Sequence, residues 1–159
     1  MKLRQYDVEY KDMQMQMKGV HELNLNWMET ESVIGNIARI SCDDFHQHLR
    51  SEVCLSLWCF DDHDNCLGYF EVGHGTINMI YSSFREIAMR AMLVGATRLV
   101  CVYNHVNGVT TPSTQELLNF TKLERACLSM GMFLNDSLVV GTSGFYSMRN
   151  DCFYKRVDI

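Results

Sequence analysis

The sequence predicts an α/β fold: a mixed β-sheet with helices packed against it. Three observations predict it. Arg98-Leu99-Val100-Cys101-Val102-Tyr103 is a continuous apolar run, the pattern of a strand covered on both faces. Ser83-Phe84-Arg85-Glu86 and Ser113-Thr114-Gln115-Glu116 flank that run, and a serine followed three residues later by a glutamate marks a helix start. Shorter stretches of period two lie before and after them, as half-buried strands require. Strand and helix patterns that alternate in this way belong to a sheet with helices on it.

The bulk properties bound the answer. A chain of 159 residues fits one domain and buries about 70% of its unfolded surface. Its 47% apolar and 21% charged content is ordinary for a globular protein. A net charge of −5 gives no electrostatic footprint for nucleic acid. No apolar run approaches the ~20 residues that cross a bilayer, and Met1-Lys2-Leu3-Arg4-Gln5-Tyr6 lacks a signal-peptide core. The chain is therefore read as cytoplasmic. Its 7 cysteines include no CxxC pair, and most lie in apolar runs. They read as buried free thiols rather than a disulfide framework.

In chain order, residues 1–28 form an N-terminal extension and residues 29–159 the domain proper. Tyr6–Tyr10 and Met13–Met17 alternate at period two, which predicts a hairpin or an edge strand; a flexible segment is the alternative. Thr30 is a candidate cap for a helix over 31–48, where Val33, Ile34, Ile37, Ile40 and Phe45 recur at helical spacing. Val53–Phe60 and Cys66–Gly73 read as a β-hairpin around the acidic turn 61–65. That turn lacks the pattern of a calcium loop. A helix should run from Ser83 to about Val94, with Gly95 ending it. A second runs from Ser113 to about Gly131, with Phe120, Leu123, Cys127 and Met130 inward. Leu138–Val140 and Phe145–Met148 close the sheet.

The chemistry concentrates at the end of the central strand, where open α/β sheets keep their sites. Tyr103-Asn104-His105 leads into a polar loop, and Glu116 stands in the first turn of the next helix. Residues i and i+2 of a strand share a face, so Tyr103 and His105 form a pair. Two imidazoles and one carboxylate, with the fourth position left to water, make a catalytic zinc centre. A His-x-His pair at this place would present two imidazoles to one ion, whereas Tyr103-Asn104-His105 presents one. A helix cap alone also explains Ser113 and Glu116, and a lone loop histidine is commonly structural.

These segments resemble the RadC-like branch of the JAB/MPN metalloprotease superfamily. The family pattern His-Asn-His-Pro-Ser-Gly followed by Pro-Ser-x-x-Asp is matched by Tyr103-Asn104-His105-Val106-Asn107-Gly108 and Pro112-Ser113-Thr114-Gln115-Glu116. Leu67–Glu71, Gly75-Thr76-Ile77-Asn78, Phe84-Arg85-Glu86-Ile87, Asn135–Gly141 and Phe145-Tyr146-Ser147 match further family segments in order, over roughly residues 30 to 150. The resemblance implies a JAB/MPN-like (cytidine-deaminase-like) mixed sheet flanked by helices in a single domain. It implies zinc as the cofactor, with His105 and Glu116 as ligands and Tyr103 at a degenerate ligand position. Glu71 is the candidate general base, Ser113 a second catalytic candidate, and Asn104 and Asp136 supporting residues.

The function so implied is a RadC-like domain with a degraded zinc site, weak or inactive as a hydrolase and acting as a binding or scaffold domain. An active zinc metalloprotease or isopeptidase is the alternative. A role in DNA repair or mobile elements is a second alternative, which the acidic balance disfavours. The expected partner is a peptide or protein segment in the family's groove, with a homodimer as the other candidate; nucleic acid and membrane are not expected.

Overall fold

Residues 1–75 and 83–156 are described by a computed structural model. In chain order they form β1 (Lys2–Lys11), β2 (Gln14–Asn24), α1 (Val33–Asp43), a short 3-10 helix (Gln47–Leu49), β3 (Cys54–Phe60), β4 (Cys66–His74), α2 (Phe84–Leu93), β5 (Arg98–Asn104), α3 (Thr114–Ser129), β6 (Phe133–Gly141), β7 (Gly144–Ser147) and β8 (Cys152–Lys155). Thr76, Ile77 and Asn78, part of one resemblance segment, lie outside the described residues. One eight-stranded sheet has the order β2-β1-β4-β3-β5-β6-β7-β8. It is mixed: β1 pairs with β4 and β5 with β6 in parallel, and the other neighbours are antiparallel.

The central strands are apolar throughout because both faces are covered. Leu55, Leu57, Cys59, Leu99 and Cys101 point to one side, where α2 and α3 supply Ile87, Ala88, Ala91, Leu123 and Cys127. Trp58, Phe60, Val100 and Val102 point to the other, where α1 supplies Ile37, Ala38 and Ile40. Period two thus divides one strand between two cores. Each buried Leu, Val or Ile side chain contributes about 1.5–3 kcal/mol relative to an exposed one.

Several boundaries differ from the sequence expectation. The cap of α1 is Ser32, which accepts the Gly35 N–H, rather than Thr30. That helix ends at Asp43, and His46 takes a left-handed φ of 49°. The inward face of α3 is Phe120, Leu123 and Cys127, as expected, whereas Met130 follows the last turn and is 40% exposed. β8 follows a tight turn and had no strand pattern of its own. The N-terminal residues form a hairpin whose turn, Asp12-Met13, uses positive φ at both positions (51° and 60°) without glycine. It joins the sheet through the short parallel register Gln5↔Tyr69 and Tyr6↔Phe70, with Leu3 fully buried. All 7 cysteines are free thiols.

Candidate functional site

His105 follows the last residue of β5, and Glu116 sits in the first turn of α3. Between them the chain turns at His105–Gly108, closed by the Gly108 N–H to the His105 carbonyl at 2.9 Å. Gly108 takes a φ of +72° there. Gly141, at the end of β6, lets this loop lie close. A Cβ at Gly141 would stand 2.7 Å from both the Gly108 carbonyl oxygen and the Thr110 methyl.

The loop brings the two expected ligands together. His105 Nε2 meets Glu116 Oε1 at 2.7 Å, and His105 Nδ1 meets the Val109 carbonyl at 2.8 Å. Ser113 caps α3 and completes a capping box: its N–H and its hydroxyl both donate to Glu116 Oε2, at 2.7 and 2.6 Å. Both partners of His105 are acceptors when Glu116 is ionised, so the imidazole carries a proton on each nitrogen. The hydrogen bond to Glu116 raises the His105 imidazole above its ordinary range, against the opposing effect of burial. Burial works to raise Glu116, but the hydrogen bonds from His105 and Ser113 outweigh it and hold the carboxyl at about 2. The result is an imidazolium–carboxylate pair whose side chains are 20% and 25% exposed.

Tyr103 shares a face of the sheet with Leu55 and packs against the α2–α3 core. Burial pushes its hydroxyl well above the usual phenol range, and Cys101 and Glu116 add to the shift. The hydroxyl is therefore neutral, and a neutral phenol is a poor donor to a metal ion. A catalytic zinc centre takes three protein donors. Among the described residues at this loop, His105 and Glu116 offer two.

The other expected residues are placed elsewhere. Glu71 pairs with Ser56 in the register of β3 and β4, on the face shared by Val102 and opposite to Tyr103. Its carboxylate meets Arg50 Nη2 at 2.7 Å and His74 Nε2 at 3.1 Å. Asp136 is buried in β6, accepts the N–H groups of Ser137 and Arg149 and the Ser147 hydroxyl, and so ties β6 to the turn after β7. Burial raises its carboxyl, and those donors oppose the rise. Asn104 is fully buried: its Oδ1 accepts the Cys54 N–H at 2.7 Å and its Nδ2 donates to the Glu52 carbonyl at 2.9 Å.

A second group lies at the same end of the sheet. Glu52, Cys54 and His74 bring three potential ligand atoms within 4.8 Å of one another. His74 Nδ1 meets Glu52 Oε1 at 2.9 Å and Cys54 Sγ at 3.4 Å. A register irregularity between Leu55 and Ser56 leaves Val72 as an extra residue in β4, so both Glu71 and His74 oppose residues of one face of β3. Sequence reasoning missed Glu52 and Cys54, since the signal, an acid two residues before a cysteine at a strand start, is weak alone. The Asp61-Asp62-His63 group is a solvated turn, with Asp61 accepting the N–H groups of His63 and Asn65. A cavity of about 300 Å³ lies against α1 and β7, lined by Arg39, Asp43 and Arg156; no expected site residue lines it.

The family is settled by comparison with known proteins. A family model described as RadC-like JAB domain matches residues 34–153. The chain belongs to the RadC-like JAB domain family. A UPF0758 protein of Streptococcus suis is 35% identical over 86 residues, which are 53% of this chain and 35% of that protein. One from Aquifex aeolicus is 29% identical over 110 residues, 69% and 46% of the two chains. One from Haemophilus influenzae is 33% identical over 106 residues, 67% and 48%. This RadC-like chain thus spans between about a third and about half the length of these relatives. Among its described residues no helix is long and apolar enough to cross a membrane.

Proposed function

We propose that this RadC-like JAB domain is a binding or scaffold module whose zinc centre is degraded, with little or no hydrolytic activity. The observation that carries the reading is the direct His105–Glu116 pair at 2.7 Å. Each His105 nitrogen already has an acceptor, Glu116 is further held by Ser113, and the neighbouring Tyr103 is a neutral phenol. The pair locks the loop to the helix, a structural use of residues that resemble metal ligands. A peptide or protein segment is the partner this reading favours, taken up by adding a strand to a sheet edge. β2 is one outer strand of the sheet, with Met15, Met17 and Val20 exposed on it.

An active metallohydrolase is the second reading, and one contact favours it. The Val109 carbonyl fixes the Nδ1 proton of His105, as outer partners of zinc-binding imidazoles do. This reading needs a third ligand beyond His105 and Glu116.

Zinc content and zinc-induced shifts in thermal midpoint separate the two. The degraded-site reading expects equal values for the wild-type chain and His105→Ala. It also expects Tyr103→His to gain a zinc that is lost again when His105 is replaced as well. Zinc released from the wild type by His105→Ala, together with zinc-dependent peptide cleavage, would overturn it.

A further inference from the structure

We propose that Glu52, Cys54 and His74 form a binding site for a divalent transition-metal ion of the zinc class, with Glu71 as the positioning residue for His74. The site is distinct from the His105–Glu116 pair and does not rest on the reading given above for that pair.

Three kinds of donor meet here, a thiol, an imidazole and a carboxylate, and each is a common zinc ligand. Zinc bonds of about 2.0–2.3 Å at tetrahedral angles separate ligand atoms by about 3.3–3.6 Å. Two of the three separations, 2.9 Å for Nδ1 to Oε1 and 3.4 Å for Nδ1 to Sγ, need at most a few tenths of an ångström of expansion, and the third lies within 4.8 Å. His74 and Glu52 side chains are 41% and 43% exposed, so both can move outward and an ion has a path in. Cys54 is buried and supplies the fixed corner.

A second, independent observation comes from the groups behind the donors. His74 turns its other nitrogen, Nε2, to Glu71 at 3.1 Å, and Glu71 is itself held by Arg50 at 2.7 Å. A carboxylate behind the imidazole is the arrangement that fixes the tautomer and ring orientation of zinc-binding histidines. Glu71 keeps the Nε2 proton in place, so loss of the Nδ1 proton that faces Glu52 Oε1 turns the Nδ1 lone pair to the metal. Asn104 clamps the backbone at both Glu52 and Cys54, so the segment that carries these two donors is held in place before the ion arrives. On binding, the Cys54 thiol and the Nδ1 position each give up a proton to solvent and form a bond to the metal, with no change in oxidation state. Three protein donors leave the fourth position of a tetrahedral ion to water or to a ligand from outside.

The test uses the full chain, purified without chelator and titrated with cobalt(II) and then with zinc. The expected result is about one equivalent of cobalt, with thiolate-to-cobalt charge-transfer absorption that zinc abolishes by displacement. Cys54→Ser removes that absorption. His74→Gln weakens cobalt binding at least tenfold, and Glu71→Gln weakens it by about ten- to a hundredfold, as loss of an outer partner does. His105→Ala leaves binding unchanged. His74 is exposed, so its variant keeps the fold, and circular dichroism checks this for every variant. Absence of the absorption in the wild type, its survival in both Cys54→Ser and His74→Gln, or its loss in His105→Ala would each overturn the proposal. Loss in His105→Ala with retention in Cys54→Ser and His74→Gln would contradict the degraded-site reading as well, whereas retention in all three variants would overturn this metal site alone, so the two failures are distinguishable.

Discussion

Two histidines at one end of the sheet, His105 and His74, face carboxylates at similar distances yet occupy different chemical settings. His105 spends one nitrogen on a backbone carbonyl and the other on a carboxylate that also caps a helix. His74 stands between two carboxylates with a thiol beside it, and its side chain is twice as exposed as that of His105 (41% against 20%). The residue types are nearly the same. What differs is the number of donors that converge and whether each already has another task. Both imidazoles have a partner at each nitrogen, but only His74 also has a thiol, at 3.4 Å, and that further donor is what suits its setting to an ion.

The contrast can be broken most severely at Asn104, whose side chain serves the Glu52–Cys54 backbone. Asn104→Ala leaves a buried N–H and a buried carbonyl unpaired, at about 1–3 kcal/mol for each. We expect a loss of about 2–4 kcal/mol in urea unfolding and faster amide exchange at Cys54. Next in size is Gly141→Ala. The added methyl meets the Gly108 carbonyl at 2.7 Å, and overpacking of this kind costs about 1–3 kcal/mol. We expect it to shift the loop carrying His105 and leave the chemical shifts of His74 unchanged.

The His105–Glu116 pair also predicts a pH signature. Glu116 has a folded value of about 2 against an ordinary 4.5, so its contribution is complete above about 4.5 and is lost as pH falls towards 2. His105 is raised from 6.5, so its contribution is complete below about 6.5 and is lost as pH rises through the raised value. These are two ends of one interaction. The difference in unfolding free energy between wild type and His105→Gln should be greatest between about 4.5 and 6.5, at about 1–2 kcal/mol, and shrink on either side. A difference independent of pH would break the comparison. The smallest effect is expected for His74→Gln without added metal, about 0.5 kcal/mol or less, because exposed ion pairs contribute little.

Local signals were legible in the sequence. The capping box at Ser113 and Glu116 depends on residues three apart, and the loop from His105 is short enough to fix its partner. The family resemblance extended this to the sheet, and the family comparison agrees with it. The settings of Glu71 and His74 were not legible, because they depend on which residues oppose Ser56 and Cys54 across two strands. Sequence alternation alone gives no such register. The turn at Asp12-Met13 lacked the glycine or asparagine that marks left-handed positions. Met130 kept helical spacing but lies beyond the last turn of α3, since apolar periodicity does not fix where a helix stops.

Val72 resets the alternation of β4. In an even pleat, side chains three apart, such as Glu71 and His74, have opposite parity and look away from each other. One supernumerary residue reverses the parity of everything beyond it. A strand can therefore place on one side two groups that strict alternation would separate, and the change costs a single position rather than a new loop.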